Sequence, residues 1–203
     1  MKLPVAICTM LLALSGVTAV HADDKGKAPS PAMSAEQKAM MDAYARVGEV
    51  RAEQKQLAYF VGNWKTETSM WMDPKAAPEK SAGSSKGESM YEGRYYRLQH
   101  QGMAMGQTFS GEGMLGYDNL KGKFYNTWID SMSTGFWLAL GSYDAATKTY
   151  TFNGDMDDAM KAGAKIPIRE VVKIVDKDHY TFEWFETREG KEARTMQISY
   201  VRQ

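Results

Sequence analysis

The chain has 203 residues, with 25 Lys and Arg against 25 Asp and Glu, so its formal net charge is zero. That balance excludes a broad basic face for nucleic acid and an acidic tail, and the length suits one domain with a real core. The one cysteine, Cys8, lies close to the start, which leaves the rest of the chain without disulfides, thiolate metal sites or thiol catalysis.

Residues 1–22 read as a secretory signal peptide. Lys2 supplies the positive start, Val5 to Val20 the apolar run, and Val20-His21-Ala22 a small-x-small cleavage site. Cys8 would leave with it, and a periplasmic or secreted protein is expected. After Val20 no apolar stretch is long enough for a membrane span. Residues 23–33, rich in Lys, Ala, Pro and Ser, read as a flexible linker, and 34–60 as an N-terminal helical segment. Ser34 and Gln37 form a capping box, after which Met40, Met41, Tyr44 and Val47 share a face. That stripe predicts a helix packed on the barrel. A second stretch, Glu49 to Phe60, brings Leu57 and Phe60 to the barrel entrance.

Residues 61–203 form the barrel domain, with strands expected near 64–72, 84–91, 94–101, 108–116, 123–130, 135–142, 149–155, 166–175, 179–187 and 192–202. Short turns such as Asp118-Asn119-Leu120-Lys121-Gly122 and Arg188-Glu189-Gly190-Lys191 separate them. Residues 73–83 and 156–165 are the longer loops. A meander of this length hides its edges best by closing, so the expected fold is all-β: an antiparallel barrel of about ten strands with a short N-terminal helical segment.

In the last strand Arg194, Met196, Ile198, Tyr200 and Arg202 share one face. Arg202 is therefore a charge on an apolar face. Stacking on Trp64 and donation to carbonyls of the preceding helical turn would satisfy it. A short helix, Gly62-Asn63-Trp64 on the first strand and a crossing Arg on the last resemble the lipocalin and fatty-acid-binding (calycin) superfamily, with Trp64 and Arg202 as structural residues. The segments Gly116-Tyr117-Asp118, Trp128 to Thr134 and Gly141-Ser142-Tyr143-Asp144 resemble a secreted bacterial family known only as domain of unknown function 1579. That likeness implies a lipocalin-like fold and an address, without an activity. It also implies a His where Gln54 stands, so no ligand role transfers there.

Several motifs spell chemistry that their context denies. Gly111-Glu112-Gly113-Met114-Leu115-Gly116 fits a dinucleotide fingerprint but leads into a turn without a helix, so strand coiling explains its glycines. Gly83-Ser84-Ser85-Lys86-Gly87 fits a hydrolase elbow but sits in a polar loop before another strand. Asp155 to Asp158 lacks the glycine and closing Glu of a calcium loop.

Candidate metal ligands are His100, Met103 and Met105, soft donors suited to Cu(I). His100, which shares a face with Tyr96 and Leu98, could alternatively be an axial haem ligand, as in nitrobindin-like proteins of the superfamily. The favoured site lies elsewhere, at Trp128, Asp130, Ser131 and Thr134, with Arg94 and Arg169 as partners of Asp130 or of an anionic ligand. Arg169 shares a face with Pro167 and Val171, and Ile166, Ile168, Val172 and Ile174 take the other. No nucleophile–base pair stands in a supporting context, and no cofactor is implied. The expected function is binding of a small, mostly apolar molecule. The competing reading is an envelope interaction protein with a filled barrel, its partner surface the Met/Tyr helix or the Met-rich hairpin from Gly102 to Gly106.

Overall fold

A computed structural model describes residues 33–203. The signal and most of the linker read from the sequence lie outside the described residues. Ser34 caps helix α1 (Ala35–Val47): its Oγ accepts the Gln37 N–H at 3.1 Å, and Gln37 Oε1 accepts the Ser34 N–H at 2.8 Å. Gly48 ends it, donating to Tyr44 O at 3.0 Å. Contrary to the expected packing, no residue of α1 is buried, and Met40, Met41, Tyr44 and Val47 are 40% to 68% exposed. The helix is held by its C-terminal end, where Asn119 Nδ2 donates to Val47 O and Arg94 Nε to Gly48 O.

Helix α2 (Ala52–Gln56) and a 3-10 turn (Leu57–Phe60) form the plug. Gln54, where the family likeness implied a His, is buried and spent on structure. It donates to Tyr117 O and Asn119 Oδ1 and accepts the Arg51 N–H. Leu57 and Phe60 enter the barrel and are fully buried.

The ten strands are β1 (Gly62–Met70), β2 (Glu79–Met90), β3 (Tyr95–Ala104), β4 (Gln107–Asp118), β5 (Lys123–Asp130), β6 (Trp137–Asp144), β7 (Thr149–Asp157), β8 (Lys165–Ile174), β9 (His179–Arg188) and β10 (Lys191–Arg202). All pair antiparallel with their sequence neighbours, and β1 pairs β10 with Trp64 opposite Arg202, so the sheet closes and leaves no edge. Strand β2 begins earlier than the polar sequence predicts. Its glycines are there for approach: a Cβ on Gly87 would stand 2.0 Å from Phe60 O. Glycine in this strand lets the plug backbone lie against the wall.

Closure works as the charge on the apolar face requires. The Arg202 guanidinium lies 4.0 Å over the Trp64 ring and donates to Val61 O and Tyr59 O, each at 2.8 Å. Trp64 donates to Phe60 O at 3.1 Å. Around this clasp, Leu57, Phe60, Tyr96, Leu115, Phe124, Tyr150, Phe152 and Tyr180 form a buried aromatic cluster that fills the plugged end. Tyr180 and Tyr200 stack at 4.0 Å. The barrel is therefore solid at one end.

Candidate functional site

The other end differs. Alternation in the ladders turns Asn126, Trp128 and Asp130 of β5, Trp137 of β6, Phe182, Trp184 and Glu186 of β9 and Met196 of β10 toward the lumen. These side chains are nonetheless only half-buried, although they point inward. Solvent therefore reaches these inward side chains from the mouth. The turns around this mouth display Met72, Met105, Met132, Phe136 and Met160, all exposed.

At the floor of this mouth sits Glu170 of β8, 1% exposed. Its Oε1 accepts the Trp137 Nε1–H at 2.7 Å, and its Oε2 accepts the Asn126 Nδ2–H at 2.9 Å. Burial pushes its carboxyl up to about 7; the two donors pull it back only in part. Trp184, opposite Glu170 in the ladder, has its ring 5.0 Å from that of Trp137 at 54°. The carboxyl thus stands at the N–H edge of the Trp137 ring, with Trp184 beside it.

Glycines seat these rings. A Cβ on Gly154 would come within 2.9 Å of the Trp137 ring, and one on Gly111 within 2.3 Å of the Trp128 ring. The glycines of the dinucleotide-like motif therefore hold an indole rather than a phosphate. Trp128 also stacks on Phe109 at 6.4 Å and 14°. The β4–β5 pairing is interrupted beside it, and Thr127 Oγ1 takes the free Met114 N–H at 2.8 Å.

His100 of β3 faces the lumen, 8% exposed, with its ring 6.1 Å from Phe109 and 6.5 Å from Tyr200. Burial lowers its pKa, and no ionic partner opposes that shift. Strand β3 lies five strands from β8 in either direction round the barrel, on the opposite wall. From Glu170 the ladder climbs through Trp184, Met196 and Met70 to Glu79 one way, and descends through Phe152, Gly141 and Phe124 to Tyr117 the other way. The two tilted paths straddle His100, which puts it level with Glu170.

Of the residues expected at a site, Trp128 and Asp130 meet: Trp128 Nε1 donates to Asp130 Oδ2 at 3.1 Å, and Asp130 Oδ1 accepts the Met132 N–H at 2.9 Å. Ser131 Oγ accepts the Ser110 N–H at 3.1 Å, and Thr134 stands exposed on the lip. Gln99, His100, Asp130 and Ser131 border an open concavity of about 420 Å³ in the wall of β3 to β5. A second, of about 450 Å³, lies at the plugged end beside Gln56 and Tyr143, away from this polar group.

The two arginines do not join them. Arg94 sits in the turn before β3 at the plugged end, bound to Gly48 O, Tyr91 O and Glu92. Arg169 faces outward, grips Glu192 through two hydrogen bonds of 2.8 and 2.6 Å, and lies 4.0 Å over Phe185. Their pairing with Asp130 is thus overturned, because alternation sends Arg169 to the outer face and the chain places Arg94 at the far end. The copper constellation dissolves for the same reason: Met103, three residues from His100, points to the opposite face, and Met105 lies in the turn at φ 48°. Among the described residues no three His, Cys, Asp or Glu side chains gather as a metal site.

The molecule is a closed antiparallel barrel, plugged at one end, with inward-pointing aromatic and acidic side chains that stay partly exposed toward the other. It belongs to the family described as protein of unknown function DUF1579, whose model matches residues 49–202. Among curated proteins none matches. Two solved structures share the fold at low identity. The first is Rv2717c from M. tuberculosis, 12% identical, covering 76% of this chain and 99% of that one with a TM-score of 0.55. The other is the S-type phycobiliprotein lyase CPES from Guillardia theta, 13% identical, covering 77% of this chain and 94% of that one with a TM-score of 0.51.

Proposed function

We propose that this protein is an exported, lipocalin-like container that binds a small, mostly apolar molecule in the open half of its barrel. The observation that carries this is the set of lumen-facing side chains, Trp128, Trp137, Phe182, Trp184 and Met196, that stay half-exposed while pointing inward. Large apolar groups held in contact with water inside a rigid wall are stabilised when a ligand covers them. The exposed methionines and Phe136 at the mouth suit the passage of an apolar molecule. Trp128 and Asp130 would meet its outer end, with Ser131 and Thr134 on the lip. That the fold is shared with a protein named as a phycobiliprotein lyase is compatible with a container.

Native mass spectrometry of protein purified from its own host tests this. A small molecule released on denaturation is the expected result, and uniformly empty protein counts against the reading. Export rests on the pattern of residues 1–22, and a mature N-terminus at Asp23 is its expected signature.

One observation favours a second role. The Met40, Met41, Tyr44 and Val47 face of α1 is exposed and covers nothing. An interaction protein would use it, and deletion of residues 34–47 would then abolish cross-linking to a partner while leaving ligand content unchanged.

A further inference from the structure

Charge in the lumen is predominantly negative. Asp130, Glu170 and Glu186 face it from β5, β8 and β9. Glu186 is matched at the mouth by Arg188, 2.8 Å away, and by Thr195. Arg202 is occupied at the plugged end by backbone carbonyls. Asp130 and Glu170 have only neutral hydrogen-bond donors, Trp128 and Met132 for the first, Trp137 and Asn126 for the second. Arg94 and Arg169, the cations that would have favoured an anionic ligand, are elsewhere.

A carboxyl buried without a countercharge destabilises the empty fold, since an apolar residue in its place would avoid the desolvation. It gains value when a cation arrives. Glu170 cannot meet that cation directly, being covered, but it accepts the Trp137 indole N–H at 2.7 Å. Its negative charge adds to the negative faces of Trp137 and Trp184, which are half-exposed to the lumen. Cations are attracted to indole faces, more strongly where water is excluded. An anion would face the same field as repulsion.

We propose that the lumen selects apolar molecules bearing a cationic head, an ammonium group seated on the indoles of Trp137 and Trp184 with Glu170 at the N–H edge of the first. The tail then runs along Phe182, Met196 and Ile198, and the imidazole of His100 borders it from the opposite wall. This rests on the container reading above and adds the charge of the cargo. Glu170 is a positioning residue: it acts through the Trp137 ring.

Binding would also depend on pH, because a cation favours the ionised carboxyl and burial holds that carboxyl near neutrality in empty protein. Cation affinity rises as pH rises through 7. Other titratable and charged groups face the same space, Asp130 on β5, Glu186 and Arg188 on β9 and His100 on β3, while Tyr143, Tyr150 and Tyr200 lie deeper, toward the plugged end. Glu170→Gln isolates the share of one of them.

The test titrates the full chain with decyltrimethylammonium, decanol and decanesulfonate, all below micelle formation, reading tryptophan fluorescence at pH 5.5 and pH 8. At pH 8 the cation should bind about tenfold or more tighter than the sulfonate, and the margin should shrink at pH 5.5. Glu170→Gln should remove both the margin and its pH dependence while leaving decanol affinity unchanged. Equal affinity for the three probes, or a margin that Glu170→Gln does not alter, overturns the charge selectivity and leaves the container standing. No saturable binding of any probe removes both. If the variant does not fold, the wild-type profile decides, and a margin that is the same at both pH values overturns the proposal.

Discussion

Replacing Glu170 by Gln should make the protein more stable at alkaline pH and leave it nearly unchanged in acid. The carboxyl titrates near 4.5 when exposed and at about 7 in the fold. Its folded pKa is raised, so the protonated form is the one the fold prefers. The stability it permits is complete below 4.5 and is lost as pH rises through 7. Each pH unit in that window removes up to about 1.4 kcal/mol, and between pH 5 and 8.5 the loss is roughly 2.5 kcal/mol. Gln has the same shape and no charge. By turning its amide, Asn126 can offer an oxygen to the new Gln N–H while Trp137 still donates to the Gln oxygen. Urea unfolding of wild type and variant at both pH values, followed by circular dichroism, gives the difference directly. All other titrating groups cancel in that comparison. A variant-minus-wild-type difference constant to within about 0.5 kcal/mol would show that Glu170 ionises as an ordinary carboxylate and would refute the buried, uncompensated site.

Arg202→Ala should lose about 3 kcal/mol, less than the sum of two charge-assisted hydrogen bonds and a cation–π contact because the side chain is 28% exposed. Arg202→Lys should recover less than half of it in denaturant titration, since an ammonium cannot span both carbonyls. Gly87→Ala, with its Cβ 2.0 Å from Phe60 O, should cost about 2–4 kcal/mol by expelling the plug. Gly106→Ala meets nothing within 4 Å and should cost about 1 kcal/mol from its φ of +74°. Equal melting shifts for the two glycine variants would mean that the plug does not press on the wall.

Closure of the barrel was readable because it needs only local signals: alternation, turn residues and the misplaced charge of Arg202. The same logic applied once more would have found Glu170, which interrupts the face formed by Ile166, Ile168, Val172 and Ile174. Arg169 beside it shares a face with Pro167 and Val171, so each side of the strand carries one charge at its middle, and this obscures which face is inner. His100, Met103 and Met105 looked like a cluster because they are near in sequence, and alternation alone could have separated the first two. Exposure of α1 was not readable, since an apolar stripe specifies a preference for burial but not the partner that provides it. Trp128 with Asp130 was found through residue types that favour a barrel lip. Their seat, Gly111, depended on contacts across strands that no spacing reveals.

The proposed container divides stability from binding between its two ends, and this has a measurable consequence. At the plugged end the aromatic cluster, the Arg202 clasp and the plug restrain every strand. At the mouth, inward side chains are half-exposed, and the loops after β1, β5 and β7 carry few buried groups. Local opening should therefore begin at the mouth, with free energies well below that of global unfolding. Amide hydrogen exchange should find the protons of Trp64, Phe124, Tyr150 and Tyr180 exchanging only through global unfolding. Those of Asp130, Trp137 and Arg188 should exchange about 10²-fold or more faster. A bound ligand covers only the open half, so saturating decyltrimethylammonium should slow the second group until the two approach each other. Uniform protection in the empty protein would mean that the mouth is as tightly held as the plug. The cavity would then be a rigid, filled interior, and a lumen that opens to admit cargo would have no physical basis.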